Sequence, residues 1–292
     1  MSGPAGASAA DWVARTQRAL ERFHWLSLQE APGARRRDWA EAVAMGSALP
    51  SSATNSLFVR SATSALDGIL PEAREYFRRS PSWRLTGPGR PERAVVTAVE
   101  RAGLSVGESV PRMLLFPVPP NPPPTPELVV RRVETVRQLE DFIEVEVRAF
   151  GIPRRVARAA FARHAGRAAN EGSSIEWRVG YFRERPVATS SHLTFDGLTS
   201  IFFVGTVPEA RHRGFGRAMT WAAIDAGRRQ GAEAAWLSSS PMGRPLYESI
   251  GFRWLCDDRE WVRPLGGLGA LRRALWYLGI VLRSPGPTED PR

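Results

Sequence analysis

The stretch VPEARHRGFGRAM, Val207 to Met219, sets Arg211, His212, Arg213, Gly214, Gly216 and Arg217 between two apolar runs. Residues of these types can hold an anion. Pro208 ends the hydrogen-bond ladder of a preceding strand. Gly214 and Gly216 remove side chains where the chain turns into a helix, leaving backbone N–H groups available at the helix's positive end. Arg211 and Arg213 add mobile positive charge beside them. Together these groups suit a pyrophosphate; a glycine-rich turn carrying exposed arginines is the other reading of the same residues.

The elements that must position this cradle lie on both sides of it. Leu198 to Val207 reads as a strand with Phe202, Val204 and Thr206 on one face and Ile201, Phe203, Gly205 and Val207 on the other, so one face can join a core while the other meets a ligand. A helix is expected from about Phe215 to Arg229, then a strand in AEAAWLSS and a final strand pair, FRWLC and REWVRP. Upstream, Trp177 to Phe182 and Pro186 to Phe195 complete a meander whose last turn, Asp196-Gly197, is a strong hairpin signal. LVVRRV from Leu128 is strand-like, VRQLEDFIEVEVRAFG from Val136 has helical spacing and stops at Gly151, and a second helix is expected over Val156 to His164. An antiparallel meander feeding a β-α-β unit predicts an α/β fold: a mixed, largely antiparallel sheet flanked by helices.

Seven prolines between Phe116 and Glu127 favour an extended spacer. The expected organisation is a smaller α/β domain at 1–116, a linker at 117–127, a catalytic domain at 128–264 and a C-terminal helix and tail at 265–292. In the first domain Asp11 to Gln29, LDGILPEAREYFRR and RPERAVVTAVERAG read as helices, and NSLFVRS and PSWRLTG as strands. GGLGALRRALWYLGIVLR, after Pro264, is too short and too interrupted by Arg272 and Arg273 for a transmembrane segment. Its residues suit packing on the catalytic domain, a homodimer contact, or a membrane surface.

With 43% hydrophobic residues among 292, the chain can fill one large core or two ordinary ones, and two domains are expected. All 40 basic residues are arginine, against 30 acids, and the excess is spread over both halves, which argues against a dedicated nucleic-acid arm. Cys256 is the only cysteine, so internal disulfides and cysteine-based metal sites are excluded. His24, His164, His192 and His212 lack ligand spacing, and no metal is expected. The N-terminus lacks a signal-peptide pattern, which makes cytoplasmic the expected location.

Arg211-His212-Arg213-Gly214-Phe215-Gly216 resembles the R-x-x-G-x-G acyl-coenzyme A loop of the GNAT superfamily of N-acetyltransferases, with Val207-Pro208-Glu209 similar to its lead-in. SSSPMGRPLYESIGFR, Ser238 to Arg253, resembles the family's fifth strand, short fourth helix and Tyr-x-x-x-Gly-Phe segment, carried by Tyr247, Gly251 and Phe252. The similarity extends from about Leu128 to Pro264. PSWRLTGPGRPERAVVTAVERAGL resembles the front domain of two-domain members, a degenerate acetyltransferase-like half without the coenzyme loop. One coenzyme site per chain is therefore expected.

The resemblance implies a GNAT-type sheet and acetyl-coenzyme A as cosubstrate. Backbone amides from His212 to Arg217, including Gly214, Phe215 and Gly216, would bind its pyrophosphate, with Arg211 and Arg213 beside the phosphates. Val204, Gly205, Thr206 and Val207 would bond the pantetheine arm and polarise the thioester, in a slot opened against the strand holding Trp236 and Leu237, and Ser239 would touch the arm. His212 departs from the glycine common in the family. Tyr247 is implied as the acid that protonates the departing thiolate. For the base, His192 has a suitable intrinsic pKa; Glu209, a water relay and an already deprotonated amine remain alternatives, and Glu144 and Glu146 either border the acceptor entrance or face solvent. The implied activity is N-acetyl transfer to a primary amine of a small molecule or peptide. The alternative is a catalytically weak acyl-coenzyme A-binding regulatory module, and specific nucleic-acid binding ranks below both.

Overall fold

A computed structural model describes residues 7–49, 51–63, 66–80, 82–119, 127–152, 154–161 and 175–263. The chain forms α1 (Ala9–Leu28), β1 (Arg35–Asp38), β2 (Ala42–Gly46), β3 (Ser56–Val59), α2 (Ile69–Tyr76), β4 (Arg84–Pro88), α3 (Arg93–Arg101) and β5 (Ser105–Leu115). Then follow β6 (Val129–Arg132), α4 (Val136–Phe150), α5 (Arg154–Phe161), β7 (Ile175–Phe182), β8 (Arg185–Phe195), β9 (Leu198–Thr206), α6 (Phe215–Arg229), β10 (Ala234–Ser238), α7 (Arg244–Ile250) and β11 (Arg253–Val262). Local chemistry sets several of these bounds. Ser8 with Asp11 and Thr135 with Gln138 form capping boxes that start α1 and α4. Gly151, at φ 67°, ends α4 in the left-handed conformation. Asp196 and Gly197, at φ 53° and 69°, turn β8 into β9.

The strands form one eleven-stranded sheet in the order β1-β2-β3-β4-β11-β5-β10-β9-β8-β7-β6. Among the described residues only β3·β4 and β9·β10 pair in parallel. The order contains a repeat. β1, β2, β3 and β4 pair antiparallel, antiparallel and parallel, and β4 then meets β11 antiparallel. β7, β8, β9 and β10 repeat that pattern, and β10 meets β5 antiparallel. β5 and β11 pair with each other at the centre. Each half thus completes the other's sheet.

Helices cover both faces. Gly180 of β7, which lies opposite Ala188, faces Met219 of α6: a Cβ there would sit 2.8 Å from the Met219 sulfur. The next residue of β8, Thr189, points to the other face and bonds Glu146 of α4. α1 shares the α4 face, stacking Phe23 on Phe202 with ring centroids 3.6 Å apart and burying Trp12 with Trp236, Leu198 and Ala234. α1 therefore straddles the seam between the halves. There the fully buried Arg112 of β5 donates Nη2 to Asp258 of β11 at 2.5 Å and to Gln17 Oε1 at 2.9 Å, donates Nη1 to Thr16 Oγ1 at 2.8 Å, and lies 5.2 Å from the Trp236 ring centroid. Such a pair persists in a core because its donors are satisfied from several elements.

Two sequence expectations change. FRWLC and REWVRP are not a hairpin pair but one strand, β11, with two register shifts. Between the two segments Asp258 is buried on Arg112, and that pairing keeps the chain extended. The helix expected over Val156 to His164 begins earlier, at Arg154, and is described to Phe161. β1, β2 and β5 had no counterpart in the sequence reading. The expected C-terminal helix and residues 120–126 of the proline-rich stretch lie outside the described residues.

Candidate active site

The site begins with an irregularity in β9. Between the pairs Thr189↔Gly205 and Ser191↔Phe202, β9 carries one more residue than β8, and Phe203 takes a left-handed φ of 53°. This is a β-bulge, which bends the strand and releases its backbone from the ladder. On its other edge β9 pairs with β10 only as far as Ser200↔Trp236, after which β10 continues along β5. The two parallel strands therefore diverge, and the Val204 to Thr206 end of β9 faces a cleft of about 400 Å³.

The walls follow from the elements around that divergence. Ala149 and Phe150, at the end of α4, close one side; Met242, Gly243, Leu246 and Tyr247, at α7, close the other. Gly205 allows α4 to approach: a Cβ there would sit 2.9 Å from Thr189 Oγ1, 3.0 Å from the Phe150 ring and 3.1 Å from Ala149 Cβ. Gly216 does the same for α7, its missing Cβ lying 3.3 Å from Leu246.

The start of α6 forms the end of the cleft. Gly214 is its N-cap, at φ 78°, and no side chain caps the helix. Among the described residues no acceptor meets the backbone N–H groups of His212 through Arg217. With the helix dipole behind them they make an anion site. His212 is itself left-handed, at φ 61°, which accounts physically for a glycine preference at this position. Arg211 does not reach freely into the cleft it lines; it donates to Thr206 O at 3.2 Å and Ala149 O at 3.1 Å, tying the loop to β9 and α4. Arg217 is anchored on Ser249, Nη1 to Oγ at 2.8 Å.

Tyr247 projects from α7 into the cleft wall, packed edge-on against Phe252. Burial pushes its phenol up to about 12, so it stays protonated at neutral pH. Of the other residues singled out by sequence, Val204, Gly205, Thr206, Arg211, His212, Gly214, Phe215, Gly216 and Arg217 line the same cleft.

Four are placed elsewhere. Val207 is fully buried and donates its N–H to Val187 O. Arg213 turns outward to Glu127, its guanidinium 4.0 Å from the Phe182 ring centroid. Ser239 is buried with its hydroxyl on Ser240 O; Ser240, the next residue, lines the cleft. His192 lies buried on the α6 face, where Arg178 donates to its Nδ1 at 2.7 Å, and burial beside that cation lowers its pKa to about 4. A neutral imidazole with Nδ1 already accepting, outside the cleft, is not brought to the reacting centre.

Glu144 and Glu146 differ from each other. Glu144 is half-buried and ion-paired to Arg148 and Arg154. Glu146, for which solvent exposure was one reading, is completely buried. Its signal in the sequence is a charge within the apolar stripe of Leu139, Phe142 and Ile143. Ala149, Phe150 and Met242 had no such signal, because their role depends on how helices lie over β9. Among the described residues no cluster is arranged to hold a metal ion, and no helix is long and apolar enough to cross a membrane.

Residues 141–252 match the family model of the acetyltransferase (GNAT) family. No curated protein matches the chain. Among solved structures, a GCN5-related N-acetyltransferase from Kribbella flavida superposes with a TM-score of 0.67 at 17% identity, over 88% of this chain and 98% of that one. A GCN5-related N-acetyltransferase from Sphaerobacter thermophilus gives 0.58 at 16% identity, over 78% and 83%. A tandem GNAT protein from the clavulanic acid biosynthesis pathway gives 0.55 at 13% identity, over 91% and 97%. The two-half architecture is thus shared along nearly the whole length of such proteins.

Proposed function

We propose, from the premise that residues 141–252 form a domain of the acetyltransferase (GNAT) family, that the protein transfers an acetyl group from acetyl-coenzyme A to a primary amine of a small molecule or peptide. The observation that carries this reading is the conjunction of the β9–β10 divergence, the unpartnered N–H groups from His212 to Arg217, and a protonated phenol in one cleft. A pyrophosphate fits the helix start, where a narrow arm can leave it along Gly216 and the freed edge of β9.

Acetyl-coenzyme A supplies the thioester. The chain supplies the rest. The N–H groups at the start of α6 hold the phosphates by hydrogen bonds and the helix dipole. The edge of Val204 to Thr206 left open where β10 diverges orients the arm and offers donors to the thioester oxygen as negative charge develops there. Phe150 and Met242 present exposed apolar side chains along the slot, against which the arm can pack. Tyr247 donates its hydroxyl proton to the departing sulfur.

The test is calorimetric titration with acetyl-coenzyme A, followed by a panel of primary amines read by mass. Binding and a mass gain of one acetyl group on an amine are expected. Tyr247→Phe should lower kcat by about 10- to 100-fold with little change in coenzyme affinity, whereas Gly214→Trp should weaken binding. Binding without turnover on any amine would leave a coenzyme-binding module; absence of binding would reject both.

A further inference from the structure

A second cavity, of about 480 Å³, lies where α1 meets both halves, and among the described residues it shares no lining residue with the cleft. Arg18 and Arg22 of α1, one turn apart, line it with Arg36 of β1, Arg60 after β3, and Gln17 and Glu21. Phe195, at the end of β8, closes it from the other half. Cavity and cleft stand at opposite ends of β8. Ala188 pairs with Thr206 of the cleft and Phe195 with Leu198, and the seven-residue step from 188 to 195 spans roughly 23 Å.

The guanidinium groups of this cavity are held in place but not used up. Arg60 Nη1 donates to Trp39 O and Ala40 O, both at 2.7 Å, and its Nη2 reaches Glu21 Oε2 at 3.3 Å. Arg36 makes a bidentate pair with Asp38, both bonds at 2.8 Å, and Arg18 Nη2 bonds Asp196 Oδ2 at 2.9 Å. Arg22 has no hydrogen bond or ion pair among the described residues. A guanidinium carries five N–H donors, so most of the donors here stay open. The carboxylates facing these four cations are Glu21, Asp38 and Asp196, and Asp196 is shared with Arg15. Positive charge is therefore in excess. Arg60, fixed by two carbonyls, loses little freedom on meeting a ligand.

Glu21 sets a second requirement. It is buried, yet its contacts are long, 3.3 Å to Arg60 and 3.5 Å to Gln17 Nε2. Burial raises its pKa, opposed chiefly by Arg60. A buried carboxylate so loosely satisfied gains from a further donor, whereas a bare anion beside it is repelled. We propose that this cavity binds a small oxyanion, a phosphate monoester or a carboxylate, that carries a hydroxyl group next to its charge. Arg18, Arg22 and Arg36 hold the oxyanion by charge-assisted N–H donation, in the forked geometry that suits such groups. The ligand's hydroxyl donates to Glu21, and its carbon skeleton lies against Ala14 and Phe195. Binding here is independent of what the cleft holds.

The test is calorimetric titration of the full chain at low ionic strength with glycerol 3-phosphate and with glycerate, each against its hydroxyl-free counterpart, propyl phosphate or propionate. Saturable binding of one of the hydroxylated probes is expected, the tighter of the two identifying the oxyanion, with its counterpart about 5-fold weaker or more. Arg22→Gln should weaken that binding about 10-fold or more. Because Arg22 has no partner to lose, the variant keeps its fold. Arg228→Gln removes an equal charge from the last turn of α6 and should leave the affinity unchanged. Glu21→Gln should narrow the preference for the hydroxylated probe. Undiminished affinity in Arg22→Gln would put the anion elsewhere, on the N–H groups at the start of α6, and overturn the assignment. Absence of saturable binding, or equal affinity for hydroxylated and hydroxyl-free probes, would overturn it as well.

Discussion

The two halves of the sheet share a strand pattern and differ where that pattern could become a site. In the amino-terminal half β3 pairs with β2 without a bulge, and with β4 from Ser56↔Arg84 to Phe58↔Thr86. Beyond the last pair the strands stay together, since a Cβ on Gly87 would lie 3.2 Å from Val59. In the carboxy-terminal half the corresponding strands, β9 and β10, separate after three pairs, and β9 carries an extra residue. The helices that follow also differ. α2 starts at Gly68, right-handed at φ −79°, whereas α6 starts at Gly214, left-handed at φ 78°. Each half buries a glutamate from its first helix. Glu21 is held by Arg60 and Gln17, while Glu146 has one threonine hydroxyl and no cation. One architecture can therefore be either closed scaffold or open slot. The difference lies in a bulge, two glycines and one missing countercharge.

The largest effect is expected at the seam, because β5 and β11 serve both halves. Asp258→Ala strands the buried Arg112 guanidinium and is expected to destabilise the whole chain by ~3–5 kcal/mol. Denaturant unfolding should show one transition shifted for both halves; loss of only one half's structure would refute the shared seam. Filling the slot affects one half alone. Gly205→Val must displace Thr189, Phe150 or Ala149, and acetyl-coenzyme A affinity should fall ~100-fold or more, about 3 kcal/mol, with secondary structure by circular dichroism retained.

The burial of Glu146 gives stability a pH dependence. Glu146 holds its proton from the usual carboxylate range up to about 8 in the folded chain, so stability should fall as pH rises through that window, by at most ~1.4 kcal/mol per pH unit. Below the usual carboxylate pKa both states are protonated and the effect vanishes. Glu146→Gln should flatten the curve, measured by thermal unfolding between pH 5 and about 9; an unchanged slope would mean that the carboxyl is ionised throughout. The smallest effect lies in the loop. His212→Gly relieves a left-handed side-chain-bearing residue and should stabilise the chain by ~1 kcal/mol without loss of coenzyme affinity.

What the sequence revealed depended on how far apart the partners were. Gly214, Gly216 and Tyr247 were legible because turn geometry, helix start and motif spacing are local, and the meander because its alternation and its Asp196-Gly197 turn are local too. β5 was not. SVGESVPRMLL is broken by Gly107 and Pro111, and several of its early residues are exposed; it becomes a central strand only because β10 and β11 arrive from the other half. The same reason hid β11's continuity, since Asp258 is extended by an arginine 146 positions away. Residue type suggested His192 as a base, but three-dimensional placement puts it under α6 with Arg178. Conversely Glu146, whose helix position allowed an exposed reading, is enclosed by β8 and β9.

On the proposed reading, the same architecture holds the acetyl donor in one half only. Calorimetric titration of the full-length chain with acetyl-coenzyme A tests it most directly. One molecule bound per chain is expected, with binding lost in Gly205→Val and retained in Glu21→Gln. Absence of binding, two molecules per chain, or undiminished affinity in Gly205→Val would contradict it.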